Sequence, residues 1–282
     1  MKNVFGPALE SIGSSGIFGP TSFQEYAARH GYDGSRKTCE LISKDALESL
    51  PAELRESQSM VLRLGAAAHG RGTAFALIRV PVLTDFFLMH EIVFSRNEEA
   101  FLPTGPERNL MAFRFLPKLT ENSLVNLALA SGVLGHALQI DDPSQILVPA
   151  TGQSTYSFVF QPHRSVSAEL SHNRGQVEID ALFLAPRNGK ECLFLVEAKT
   201  GGSRRSLAKH KLVYPYLALR KEISPDIPIV PVYLHAERTN SGYRFRIAEC
   251  EFETDDDKLP VLCDLKVVSN RTFVLPAFTE RS

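Results

Sequence analysis

The stretch QVEIDALFLAPRNGKECLFLVEAK, residues 176–199, decides the fold. Two apolar runs, ALFLA and CLFLV, flank Asn188-Gly189. That pair favours a two-residue hairpin turn, because both turn positions need positive φ. With this turn Arg187 faces Lys190, Asp180 faces Glu197 and Glu178 faces Lys199. Side chains alternate across a strand, so the four charged residues share one face. Val177, Ile179, Ala181, Val196 and Ala198 take the other. Asp180 and Glu197 fall on a non-hydrogen-bonded pair, where Cα atoms sit about 4.5 Å apart. A one-residue bulge would alter that direct opposition.

Opposed carboxylates repel. They tolerate each other by sharing a proton or by sharing a cation. Hard oxygen ligands at this spacing suit Mg2+, held by one or two carboxylates plus substrate phosphates. Lys199, next on the same face, is placed to position or activate a water, as in metal-assisted phosphodiester hydrolysis. The alternative is a solvated sheet face with a Glu178–Lys199 ion pair. The runs LFLV before Glu197 and ALFLA after Asp180 argue instead for strands covered on both faces.

The surrounding pattern sets the hairpin in a mixed α/β core. LTENSLVNLALASGVLGHAL (119–138) has helical spacing with Thr120 as N-cap. STYSFVFQ (154–161) reads as a strand, followed by a polar loop and then the hairpin. SRRSLAKHKLVYPYLALRKEI (203–223) reads as mostly helical, with Ser203 as N-cap and a kink or break at Pro215. IPIVPVYLHA (227–236) is a further strand, and SGYRFRIAECEF (241–252) another. The order from 120 to 235 is helix, strand, strand, strand, helix, strand, with an antiparallel start and a crossover helix.

Asp180, sixteen intervening residues, then Glu197-Ala198-Lys199, on a hairpin in that element order, resembles the PD-(D/E)xK superfamily, the restriction-endonuclease-like nuclease fold. The resemblance spans roughly residues 120–235. It departs from the family pattern in one place, where Ile179 stands for the proline before the first acid. It implies an α/β core of helix, three-strand antiparallel meander, helix and strand. Asp180 and Glu197 would ligate Mg2+ (Mn2+ often substituting), with the Ala198 carbonyl as an extra ligand. Lys199 would orient or polarise the attacking water. Glu178 is open between a partner fixing Lys199, an added metal ligand and a simple ion pair. Glu169, in the loop before the second strand, is a weaker candidate for approaching the metal, and Glu121 weaker still, an acid in a first helical turn being ordinary dipole compensation.

Arg204, Arg205, Lys209, Lys211, Arg220 and Lys221 follow the motif with no acid among them. A helix starting at Ser203 would point its positive end at the carboxylates, where Arg204, Arg205 and Lys209 could hold a phosphate. The usual meaning of such a run is a solvated helix face. Tyr214 and Tyr216 fit core packing as well as a nuclease helix, and His210 is expected to face solvent.

The chain has 282 residues, 44% hydrophobic, with a formal net charge of −1, so any polyanion site is a local patch. No run of about 18 apolar residues and no export signal is seen. Cys39, Cys192, Cys250 and Cys263 show no zinc or disulfide spacing, which fits a reducing cytoplasm. Residues 1–118 read as an N-terminal α+β region and 119–282 as the nuclease core with C-terminal strands. In the former, SFQEYAARHG (22–31) and SKDALESL (43–50) read as helices, and GTAFALIRVPVL and TDFFLMHEIVF as strands. Arg36, Lys37, His69 and Arg71 of the N-terminal region, or the SGYRFRIAEC hairpin, are where bases would be read, and ETDDD (253–257) is expected to be a solvent-facing turn, with cation binding as the alternative.

The expected function is a cytoplasmic, Mg2+-dependent endonuclease cutting double-stranded DNA, foremost as a type II restriction enzyme. A homodimer follows from the need for two active sites on two strands. The alternatives are a structure-specific repair or recombination nuclease, a catalytically silent DNA-binding module and, from another chemistry, a carboxylate-pair glycosidase.

Overall fold

Asn188 and Gly189 both adopt positive φ, 55° and 72°, and Arg187 pairs with Lys190 in a computed structural model of the chain. The turn is held further by Asp141, whose carboxylate accepts the Asn188 and Gly189 N–H groups at 2.8 and 2.9 Å. From there the antiparallel ladder runs in step as far as Ala181 opposite Val196. The structure describes residues 3–32, 38–68, 71–104, 106, 108–116, 118–142, 147–203, 205–252 and 258–276.

The described helices are α1 (Gly6–Glu10), α2 (Phe23–Arg29), α3 (Thr38–Ile42), α4 (Ala52–Glu56), α5 (His90–Val93), α6 (Arg108–Arg114), α7 (Glu121–Ala130), α8 (Val133–Ala137) and α9 (His210–Leu219). The strands are β1 (Ile17–Ser22), β2 (Ser59–Ala66), β3 (Thr73–Arg79), β4 (Phe87–Met89), β5 (Glu99–Ala100), β6 (Ala150–Phe160), β7 (Leu170–Arg187), β8 (Lys190–Thr200), β9 (Ser206–Ala208), β10 (Ile229–Thr239), β11 (Gly242–Phe252) and β12 (Leu265–Pro276).

One mixed sheet runs in the order β1-β3-β2-β7-β8-β10-β11-β12-β5, with β6 also paired to β7. β6, β7 and β8 form the antiparallel meander. β10 then pairs parallel to β8 after the α9 crossover. β8 is buried from Cys192 to Lys199 on successive residues, as a strand covered on both faces must be. On one face Ala181, Phe183, Phe194, Val196, Val232 and Leu234 pack with the apolar residues of α7 and α8. On the other, Leu193 and Leu195 pack with Leu219 at the end of α9. Residues on both sides of position 118 share a single apolar cluster, from Phe5, Phe23 and Phe75 to Phe158, Leu212 and Tyr233. The sheet joins the two regions where β2 touches β7 at Gly65 and Asn173. Gly65 has φ 79°, and a Cβ there would collide with the backbone of Asn173 and Gly175, so only glycine allows the approach.

Several expected elements differ. The 43–50 segment is not a helix capped by Ser43. It holds one 3-10 turn at Leu47–Ser49, tied to β9 by the Leu47 N–H donating to Ser206 Oγ at 2.8 Å. TDFFLMHEIVF is not one strand: three residues form β4, and His90 starts the short helix α5. β4 pairs with β9, and that pairing takes residues 206–208 out of the helix expected from Ser203. α9 therefore begins only at His210, and it continues through Pro215 without a break. The 119–138 helix divides at Gly132, whose φ of 84° ends α7 and opens α8. Thr120 caps α7 as expected, accepting the Ser123 N–H at 3.3 Å. Strands β2 and β12 were not read from the sequence, and ETDDD at 253–257 lies outside the described residues.

Candidate active site

The ladder between β7 and β8 stops short of the acidic residues because β7 bulges. Against β6, Leu182 pairs with Ala150 and Ile179 with Gly152, so β7 carries one extra residue there. Asp180 is therefore not stacked opposite Glu197 in the ladder. Its Oδ2 instead accepts the Ala198 N–H at 2.8 Å, replacing a strand-to-strand bond. The expected direct opposition of the two acids is corrected accordingly; they meet through a lysine.

Lys199 Nζ lies 2.7 Å from Glu197 Oε1 and donates to the Ala198 carbonyl at 2.9 Å. It is also 3.8 Å from Asp180 Oδ2 and 3.7 Å from Glu121 Oε2. The oxygen donors named for a metal, from Asp180, Glu197 and Ala198, thus converge on one ammonium. Glu121 reaches it from the first turn of α7, and its Oε1 accepts the Thr200 N–H at 3.3 Å. Lys211 Nζ, on α9, lies 3.3 Å from the same Glu197 oxygen. With all five groups ionised, the three carboxylates and two ammonium groups leave one net negative charge.

Glu197 is 2% exposed, and burial pushes its pKa up, while Lys211 and Lys199 pull it back. Burial works against the Lys199 charge, but Glu197, Asp180 and Glu121 outweigh it and hold its pKa above the ordinary lysine value. Lys199 is therefore an ammonium that donates hydrogen bonds. An open hollow of about 300 Å3, lined by Asn122, Gln153, Glu178 and Asp180 among others, gives solvent access to this cluster.

Two neighbours come from β10, where Tyr233 lies beside Glu197 and His235 beside Lys199 in the parallel register. His235 Nε2 is 2.9 Å from the Gly201 carbonyl, which can only accept, so Nε2 carries the hydrogen. Nδ1 then accepts from Arg246 at 3.3 Å. Tyr233 hydroxyl and His90 Nε2 are 2.7 Å apart. A cavity of about 620 Å3 opens here, lined by His90, Arg96, Arg205, His235, Glu237 and Arg246 among others.

The remaining expected residues separate. Glu178 is exposed, pairs in register with Gln153 and accepts from Gln176 Nε2 at 3.1 Å. It does not face Lys199, because the bulge ends the ladder before reaching it. Glu169 is exposed ahead of β7, while the ion pairs of Lys199 go to Glu121, Asp180 and Glu197. Arg205 is exposed on the larger cavity. Lys209 is turned away, donating to the Cys263 carbonyl at 2.6 Å, and burial lowers its pKa, so it is not a phosphate contact. His210 is half-buried, with its Nδ1 enclosed, and packs against Tyr214 with ring centroids 5.3 Å apart. Tyr214 is a core residue beside Phe158 and Phe160. Arg244 and Arg246 of the C-terminal hairpin are both paired with Glu237, the former also with Glu98. Arg36, Lys37, His69 and Arg204 lie outside the described residues. Arg71 is exposed, and its carbonyl accepts from Ser22 Oγ.

Glu121 and Lys211 are the additions that sequence reasoning undervalued or missed. An acid at a helix start and a lysine in a basic run are individually ordinary, and only the packing of α7 and α9 against β8 aims them at the motif. Among the described residues, no group of three or more His, Cys, Asp and Glu side chains is arranged to hold a metal by itself. Two carboxylates and a carbonyl nevertheless meet Mg2+ chemistry, since that ion keeps several waters and takes few protein ligands. These hard oxygen donors are of the kind Mg2+ takes, and Lys199 adjoins all three.

Residues 95–274, which contain the whole cluster, match the family described as a domain of unknown function (DUF6997), and the chain belongs to that family. No curated protein and no solved structure matches it. Among the described residues no helix is long and apolar enough to cross a membrane.

Proposed function

We propose that this protein is a Mg2+-dependent deoxyribonuclease on a restriction-endonuclease-like core. The supporting observation is the convergence of Asp180, Glu197 and the Ala198 carbonyl on a single cationic point at a solvent-reachable strand end. Asp180 and Glu197 would hold the ion, with the Ala198 carbonyl as third donor and Glu121 beside them. Bound there, Mg2+ supplies Lewis-acid stabilisation of the phosphoryl oxygens and an activated water; Mn2+ serves in its place. Lys199 keeps its proton and orients the attacking water by donation. Lys211, 3.3 Å from Glu197, draws its pKa back down against the burial that raises it. Arg205 and Arg96, exposed on the larger cavity, contact the flanking phosphodiester backbone by charge.

Cutting both strands takes two such sites, so the working form is a homodimer on double-stranded DNA, in the cytoplasm, with type II restriction as its role. The test is incubation of the full chain with supercoiled plasmid in Mg2+ or in EDTA. Cutting in Mg2+ that stops in EDTA is expected, with discrete fragments for a sequence-specific enzyme and a smear for a structure-directed one. A shifted but uncut plasmid in Mg2+ would overturn the nuclease reading in favour of a binding module.

A further inference from the structure

Beside the acidic cluster lies a second cavity, of about 350 Å3, lined by Arg63, His172, Gln176, His210, Lys211 and Tyr214 among others. It adjoins the cluster twice. Lys211 also contacts Glu197 at 3.3 Å, and Glu178 lines both this cavity and the hollow around Asp180. His172 is 2% exposed, yet among the described residues its Nδ1 has no hydrogen-bond partner, and neither has the buried Nδ1 of His210. A buried polar nitrogen without a partner is costly, so such a group in a native fold calls for a ligand or an ordered water. Both imidazoles are neutral near pH 7, since burial pushes His172 down to about 4 and His210 to about 3. Neutral imidazoles read donors and acceptors without demanding a charge.

The lining divides by chemistry. Arg63 and Lys211 are cations, suited to a phosphate. His172, His210 and Gln176 present polar edges, and Tyr214 lies against both imidazoles, 4.9 and 5.3 Å between ring centroids. Polar edge groups set among aromatic rings, next to cations, is the chemistry that binds an unstacked base with its phosphate. Two imidazoles fall short of the three or more protein ligands of a transition-metal site. The volume is at the small end for ligand sites and admits one nucleotide.

We propose that this cavity receives one nucleotide of the substrate strand, its base drawn out of the stack next to the phosphate that is cut. The proposal rests on the reading of the chain as a nuclease, but binding is measured without cleavage. The full chain would be titrated with each of the four deoxynucleoside 5′-monophosphates while the His172 and His210 ring nitrogens are followed by 1H–15N NMR. Saturable shifts of both rings by at least one nucleotide are expected. His172→Phe should weaken that binding about tenfold, as loss of one buried hydrogen bond does. Gln176→Ala, at an exposed position, should do likewise and covers the case in which His172→Phe fails to fold. No shift, the same shift from inorganic phosphate alone, or a response only to Zn2+ would overturn the proposal. Plasmid cutting without nucleotide binding would sink the cavity assignment alone; binding without cutting would sink only the nuclease.

Discussion

Lys199 occupies the point on which the site turns. It is 7% exposed and contacts Glu197, Asp180, Glu121 and the Ala198 carbonyl. Removing one partner of a buried charged group leaves the others uncompensated, at a cost of about 3–5 kcal/mol. Lys199→Met should therefore lose stability of that order in urea unfolding, and added Mg2+ should restore part of it. A loss well under 1 kcal/mol would mean the carboxylates do not depend on the ammonium. Lys211 acts on Glu197 by lowering its pKa against burial. In Lys211→Gln that pKa rises, and an activity requiring ionised Glu197 should lose its acid limb at higher pH than wild type does. A pH–rate profile with an unmoved acid limb would remove Lys211 from the site.

At the scale of elements, the β7–β8 hairpin carries the site and the Asn188-Gly189 turn sets its register. Asp141 secures both turn amides, and hydrogen bonds to a charged acceptor are worth about 1.5–3 kcal/mol. Asp141→Ala should destabilise by about that amount, read as a lower urea midpoint with an unchanged slope. The turn and its register to Ala181 were legible in sequence because they depend on residues adjacent in the chain. The bulge between Ile179 and Leu182 was not, because it arises from pairing with β6, whose residues lie some thirty positions earlier. For the same reason the start of α9 was misread: SRRSLAKHK has helical character, but β4 claims residues 206–208 as a strand. Asp180, Glu197 and Lys199 were found because charges in apolar runs are conspicuous. Glu121 and Lys211 were hidden by their ordinary local settings.

Across the whole molecule, the N-terminal region and the hairpin core share a hydrophobic cluster that includes Phe158 and Tyr214, and His172 stacks on Phe158 with ring centroids 4.6 Å apart. Its folded pKa, about 4, lies below the ordinary 6.5, so the unfolded chain binds the proton first. Stability is full above about 6.5 and falls as pH drops toward 4, by about 3 kcal/mol for this residue. His210, pushed to about 3, adds loss in the same direction. Urea midpoints measured from pH 7 to pH 4 should fall, and His172→Phe should flatten the curve. A flat wild-type curve would show that these imidazoles are solvated. Sedimentation on DNA should give a two-chain species; one chain per cleaved duplex would exclude the homodimer.

The most direct test of the acidic cluster is the plasmid-cutting rate of Asp180→Asn in saturating Mg2+. The asparagine keeps the side chain's shape and can still accept the Ala198 N–H, so the fold is preserved while a negative charge is lost. A fall of about a thousandfold or more is expected, on the order of 4 kcal/mol of transition-state stabilisation. Cutting at the wild-type rate would show that the cluster around Lys199 is a structural ion network and not the site of chemistry.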